Sequence, residues 1–214
     1  MTLPTLVQRQ QKKVVATRLK QTYSQLYQAI NMAQAQYGDM KNWSVNDNYQ
    51  TSIDPDNPSI GREKAAKFAE IYLIPYLKYN GTPTLCKLED KGYSSYYTKD
   101  GRLYVSQSSR YYIIELVNGV TLLLFYNGNA ESYSYPSIFV DINGKSKPNI
   151  LGRDFFMFDL DSVNTMKIRP AGYGYSRDDL LKFCEVHDGN TYEYLRCTGL
   201  IVLDGWEIKN DYPW

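Results

Sequence analysis

Few residues of this 214-residue chain have both the type and the spacing that chemistry requires. The best site-like segment is Val140-Asp141-Ile142-Asn143-Gly144-Lys145, whose Asp-x-Asn-Gly core begins like a calcium loop, with alternate oxygens wrapped round a hard cation. Such a loop needs oxygen at its fifth position, and that position is Lys145. The bidentate acid expected at the twelfth falls on Gly152, with Asp154 close by. The competing reading is a tight turn in which Asp141 accepts backbone N–H bonds. Asp141, Asn143 and Asp154 therefore stand as weak calcium candidates, and no other metal or cofactor is indicated. Cys184 and His187 could be imagined as nucleophile and base, but a neighbouring cysteine offers Cys184 a structural partner. Asp159, Asp161, Asp178 and Asp179 include no pair marked for acid–base work, and Gly172-Tyr173-Gly174 lacks the strand-to-helix setting of a phosphate loop. P-loop, dinucleotide, HExxH and nucleophile-elbow motifs are missing. The expectation is a protein that is not an enzyme.

Of the three cysteines, Cys184 and Cys197 lie close in sequence and flank the turn His187-Asp188-Gly189-Asn190. A bond between them closes a loop of about 14 residues, contributes on the order of 3 kcal/mol and points to an oxidising compartment. Two buried thiols in a reducing compartment are the alternative. Cys86 has no obvious partner.

The elements that must hold these residues divide by charge and period. Residues 1–38 carry Arg9, Lys12, Lys13, Arg18 and Lys20 and no acid, while the rest carries 19 basic and 23 acidic groups, so an arm of +5 meets a body of −4. The net charge of +1 gives no case for nucleic acid, and five charges on the arm are weak evidence for phosphate neutralisation. The longest apolar run, Leu122 to Tyr126, is far below the roughly 18 residues of a membrane span. From Thr5 to Tyr37 there is neither Gly nor Pro, and Val15, Leu19, Tyr23, Leu26, Ile30, Ala33 and Tyr37 recur at helical spacing. They predict a docking face, stopped by Gly38. Before it, Leu6, Val7 and Val14 are scattered among Gln, Arg and Lys, as in a protruding end.

Beyond the arm, residues 44–61 read as a loop rich in Asn, Asp and Pro, and Arg62 to Tyr79 as a second helix kinked or ended by Pro75. The period then changes to two. Strands are expected at 94–98, 102–106, 111–116, 120–126, 137–142 and 155–160, with Asp100-Gly101, Asn118-Gly119 and Asn143-Gly144 at turns. Helices first and antiparallel hairpins after is an α+β order. Nine of the 21 tyrosines fall between Tyr93 and Tyr135. They either pave the sheet or stack sugars on exposed rings.

Three segments together resemble one family. The run from Thr5 through Lys13 to Leu19-Lys20-Gln21-Thr22-Tyr23 and on to Ile30 resembles the stretch after the membrane helix of type IV pilin-like proteins, the prepilin-type cleavage/methylation proteins that include type II secretion pseudopilins. Phe139-Val140-Asp141-Ile142-Asn143-Gly144 with Pro148-Asn149, Gly152 and Asp154-Phe155 is similar to a segment of one branch. Asp204-Gly205-Trp206-Glu207-Ile208 with Asp211-Tyr212-Pro213-Trp214 is similar to that branch's C-terminus. Residues 80–135 and 160–183 contribute little to the likeness, and the branch's further cysteine near Cys86 is missing.

The resemblance implies a long N-terminal helix (1–38) packed on a head (39–214) with an antiparallel sheet and a C-terminal disulfide-stapled segment. It further implies a structural subunit, pilin or pseudopilin, that polymerises with other such subunits into a cell-envelope filament for secretion, adhesion or DNA uptake. The family's leader and apolar helix are not in the sequence, and Thr2-Leu3-Pro4-Thr5-Leu6 resembles the last turn of that helix. A truncated soluble form with Met1 as start codon is the expectation. The missing part would anchor the chain in the inner membrane, with the head in the periplasm or outside the cell. Arg9, Lys12 and Lys13 would lie near lipid headgroups before assembly and near neighbouring subunits after it. The alternative is a surface adhesin or carbohydrate-binding module that uses the tyrosine-rich sheet.

Overall fold

A computed structural model describes residues 3–43, 59–126, 136–161, 167–185 and 189–214. His187, Tyr133, Tyr135 and most of the expected loop at 44–61 lie outside these residues.

Helix α1 (Leu3–Tyr37) is 35 residues long, about 52 Å at 1.5 Å per residue. Pro4 sits in its first turn, where a missing N–H breaks no helical bond. At the other end Gly38 takes a left-handed φ of 77° and its N–H donates to Gln34 O at 2.9 Å, closing the helix as expected. The predicted docking face is realised with two changes. Leu19, Leu26, Ile30 and Ala33 are wholly buried, and Val15 and Tyr23 pack half-buried against the same core. Tyr37 is 44% exposed, its ring edge-on to Tyr72 at 5.3 Å, so the buried stripe ends at Ala33. Ala16, Thr22 and Ala29 complete it. A straight helix turns 100° per residue, so a row spaced slightly wider than 3.6 drifts off the contact and its neighbours take its place. None of residues 6–14 is buried.

Helix α2 (Ser59–Tyr72) is shorter than predicted. The chain leaves it at Leu73, makes a 3-10 turn at Ile74–Tyr76 around Pro75, and enters strand β1 (Tyr79–Lys87). Proline lacks the N–H that would have continued the helix. The six expected strands are all present as β2 (Tyr96–Tyr97), β3 (Leu103–Val105), β4 (Arg110–Leu116), β5 (Thr121–Tyr126), β6 (Pro136–Asp141) and β7 (Phe155–Asp161). Strand β1 escaped the period-two reading because it contains Gly81 and Pro83 and shifts register between Asn80 and Thr84. An edge strand tolerates both. Strand β8 (Lys167–Pro170), on the other edge, is too short to show a period. The main sheet runs β1-β4-β5-β6-β7-β8 with every pairing antiparallel, and β2–β3 form a separate hairpin. Two short helices close the chain, α3 (Arg177–Cys184) and α4 (Cys197–Leu203). The architecture is α+β, with a long helix on an antiparallel sheet.

Alternation puts apolar residues on both faces of the central strands. Ile114, Leu122, Leu124, Ile138, Val140, Phe156 and Phe158 face the layer of α1, α2 and the C-terminal helices. Ile113, Leu123, Phe139, Phe155 and Met157 face a second core shared with Tyr96, Val105 and Tyr194. α1 rests on β8, α2 and the 3-10 turn at Ile74–Tyr76. Leu26→Ala should therefore cost about 2–5 kcal/mol in urea unfolding, whereas Met32→Ala, on the open side, should change it by less than about 0.5 kcal/mol. Equal effects for the two would contradict this docking face.

Candidate functional site

Two regions of α1 meet the rest of the chain differently. Near its middle Arg18 Nη1 donates to Ile142 O at 2.9 Å, tying the helix to the loop between β6 and β7. Tyr23 lies 5.5 Å from Phe158 and 5.1 Å from Trp206, centroid to centroid. Trp206 reaches that position from a helix end of defined chemistry. Gly205 N–H donates to Val202 O and Trp206 N–H to Ile201 O, the paired bonds that close a helix through a left-handed glycine. Trp206 itself has φ 67°, an unusual conformation for a bulky residue. Contacts with α1 hold it there.

The Asp141 loop is built of hydrogen bonds. Asp141 accepts from the Tyr96 hydroxyl at 2.6 Å, from Asn143 N–H at 3.1 Å and from Gly144 N–H. Asp154 accepts from Ile150 N–H at 2.6 Å, Asn149 N–H at 2.7 Å and the Asn143 amide nitrogen at 3.1 Å. Both carboxylates thus meet protein donors, and Asn143 turns its NH2, rather than its oxygen, toward Asp154. Asn143 Oδ1 and Asn149 Oδ1 are left as buried oxygens without a donor. Asp141 thus accepts the backbone N–H bonds that a tight turn requires. Among the described residues no group of three or more His, Cys, Asp or Glu side chains could hold a metal ion.

The loop is also where the C-terminal segment attaches. Cys184 and Cys197 are bonded, with Cα atoms 5.3 Å apart. A Cβ on Gly152, whose φ is 73°, would lie 2.9 Å from Cys197 Sγ. The Tyr212 hydroxyl donates to Gly152 O. Arg177 then clamps the segment from outside, with bidentate pairs to Asp204 (2.7 and 2.9 Å) and Asp211 (2.9 and 3.0 Å). Lys209 adds a bond to Asp204 at 2.8 Å. These pairs hold both carboxyls below the usual range. Sequence reading missed Arg177, although Ser176 followed by Asp178 and Asp179 carries an N-cap signature.

Higher up, the first half of α1 and the segment Trp206–Asn210 face each other across an open groove of about 1350 Å3. Arg9, Lys12, Lys13 and Lys209 line it together with Ala16, Trp206, Ile208 and one carboxylate, Glu207. The three basic residues singled out from sequence are therefore brought together on one wall.

The tyrosine-rich region does not form an exposed platform among the described residues. Tyr93, Tyr96 and Tyr112 are buried, Tyr104 and Tyr111 are half-buried against the second core, and Tyr97 alone of these is exposed. Asp159 accepts from Ser137 across the β6–β7 pair, and Asp179 from Ser176 three residues back. Burial raises the Cys86 thiol, so it is not a ready nucleophile.

Burial, aided by the nearby Asp154 charge, pushes Asp141 up to about 7 despite its donors. The folded chain therefore keeps a proton that the unfolded chain releases at its ordinary pKa. Stability should fall as pH rises between about 4 and 7, and Asp154 and Asp159, also raised by burial, act in the same sense. Urea midpoints measured from pH 4.5 to 7.5 should decline, and Asp141→Asn should make the decline shallower. A flat profile, or one unaltered by the substitution, would show that the buried carboxyl is not the cause.

No curated protein and no solved structure matches the chain. The profile of a family of unknown function, DUF6613, matches residues 5–214, and the chain belongs to that family.

Proposed function

We propose that this chain is a non-enzymatic structural subunit, pilin- or pseudopilin-like, that polymerises through α1 into a cell-envelope filament. The observation that carries this reading is the open side of α1. Val7, Val14, Gln21, Gln25, Gln28 and Met32 are all exposed and fall on one helix face, and from Gln21 to Tyr37 the helix contains no charged residue. A helix face destined for water is ordinarily charged. Between the two exposed valines and this amide- and methionine-lined stretch the one charge on the face is Arg18, which is drawn in to Ile142 O; the rest of the face suits packing against a second long helix. The arm and body also carry opposite charge, +5 against −4. That arrangement favours one copy's arm lying against another copy's body, a heterologous contact that builds a thread where its rotation does not close. The Cys184–Cys197 bond fits an oxidising compartment outside the cytoplasm.

No helix among the described residues is long and apolar enough to cross a membrane. In the proposed subunit, anchoring in the inner membrane belongs to an apolar segment preceding residue 2, with the head outside the cytoplasm. Other filament subunits are the partners.

The test uses the complete reading frame in its native host. Chain sheared from the cell surface should sediment as filaments. Val7→Asp combined with Val14→Asp should reduce the sedimenting fraction at least tenfold, while leaving the melting temperature of the 214-residue chain unchanged. Normal filaments from the double variant, or no sedimenting form of the unmodified protein, would end the proposal.

A further inference from the structure

The second core is sealed along one row of the sheet and open at the next. Ile113, Leu123, Phe139 and Met157 form the sealed row, all buried. In the following row on the same face Phe125 pairs with Ser137, Ser137 with Asp159 and Asp159 with Arg169, and Tyr111 lies beside Phe125 with ring centroids 5.9 Å apart. Tyr104 of β3 stands edge-on to Phe139 at 6.0 Å, within electrostatic reach of Asp159, Tyr111 and Tyr192. Tyr104, Tyr111, Phe125 and Tyr192 are all half-buried, so aromatic rings surround this end of the core without closing it. Asp159 is the acid of the rim, and its carboxylate accepts from one donor, the Ser137 hydroxyl at 2.7 Å. Asp141 and Asp154, by contrast, each take three donors and fix a loop by doing so. A carboxylate drawn out of water beside a single neutral donor weakens the fold. Two arginines lie in the neighbourhood. The Arg169 guanidinium carbon is 4.3 Å from the Tyr173 ring centroid, and Arg62 acts on the Tyr111 hydroxyl. Asp159 feels neither: burial raises it and only Ser137 opposes that.

We infer that this rim binds a small organic ammonium ion, with Asp159 as the counter-charge and the rings of Tyr104, Tyr111 and Phe125 around its carbon body. Aromatic rings attract a cation and shelter its apolar groups, and a carboxylate beside them separates an ammonium from a neutral molecule of the same shape. A metal ion fits the rim less well, because a hard cation needs several oxygen ligands and no three acidic, His or Cys side chains converge among the described residues. The charge of the ligand is set by Asp159, which stabilises a cation and repels an anion. The binding requires one copy only and does not depend on polymerisation, so its failure would leave the filament proposal standing.

The experiment is titration of the 214-residue chain with phenethylammonium and with its uncharged counterpart, phenylethanol, followed by backbone amide NMR shifts. The ammonium should give saturable shifts confined to the surroundings of Tyr104, Tyr111, Phe125, Ser137 and Asp159, and the alcohol should bind about tenfold more weakly. Asp159→Asn should weaken the ammonium about tenfold and leave the alcohol unchanged. Urea unfolding should find that variant at least as stable as the parent, because a half-buried charge has gone. Tyr104→Leu should weaken both ligands. Asp178→Asn, on the exposed surface of α3, should affect neither. Undiminished ammonium binding in Asp159→Asn would overturn the site, as would equal binding of amine and alcohol. Losses from Asp178→Asn as large as those from Asp159→Asn would mean diffuse attraction and overturn it too, and so would the absence of any saturable shift.

Discussion

Everything else in this molecule depends on the burial of one stripe of α1, from Ala16 to Ala33, against the sheet and α2. Each of its large members removes apolar surface worth about 1.5–3 kcal/mol from water. That contact fixes where the helix can go. The remaining helix length, from Leu6 to Val14, has no buried residue, because the body beneath it ends in a groove. A helix held so firmly at one end and so little at the other can serve contacts outside its own fold.

The second constraint is the loop from Ile142 to Asp154. It receives Arg18 from α1, Tyr96 and Tyr97 from the β2 hairpin, and Tyr212 and the Cys184–Cys197 bond from the C-terminal segment. Two buried carboxyl groups organise it, each met by backbone and side-chain donors, as burial of polar groups demands. Gly152 is needed there because a Cβ would strike Cys197. The loop therefore joins parts distant in sequence, and through Arg153 it reaches the Trp214 ring as well.

The regular elements with long periods were legible in the sequence. α1, its glycine stop and the strands around Asn118-Gly119 followed from spacing and turn chemistry alone. Strand β1 was not legible, because Gly81, Pro83 and a bulge erase its alternation, and neither were β8 and α3, which are too short for a period to form. Site residues divided in the same way. Arg9, Lys12 and Lys13 stood out because a run of bases without acids is visible in one dimension. Arg177 did not, since it gains its meaning from Asp204 and Asp211, 27 and 34 positions along. Asp141 was legible as a turn or a cation ligand, but its bond to the Tyr96 hydroxyl, 45 positions away, was not.

The most direct measurement is electron cryomicroscopy of material sheared from cells that express the complete gene. The account predicts helical threads in which the exposed face of α1 from Val7 to Met32 is covered by neighbouring copies, with the disulfide-stapled heads outside. Isolated particles, closed rings, or threads in which that face meets solvent would contradict it.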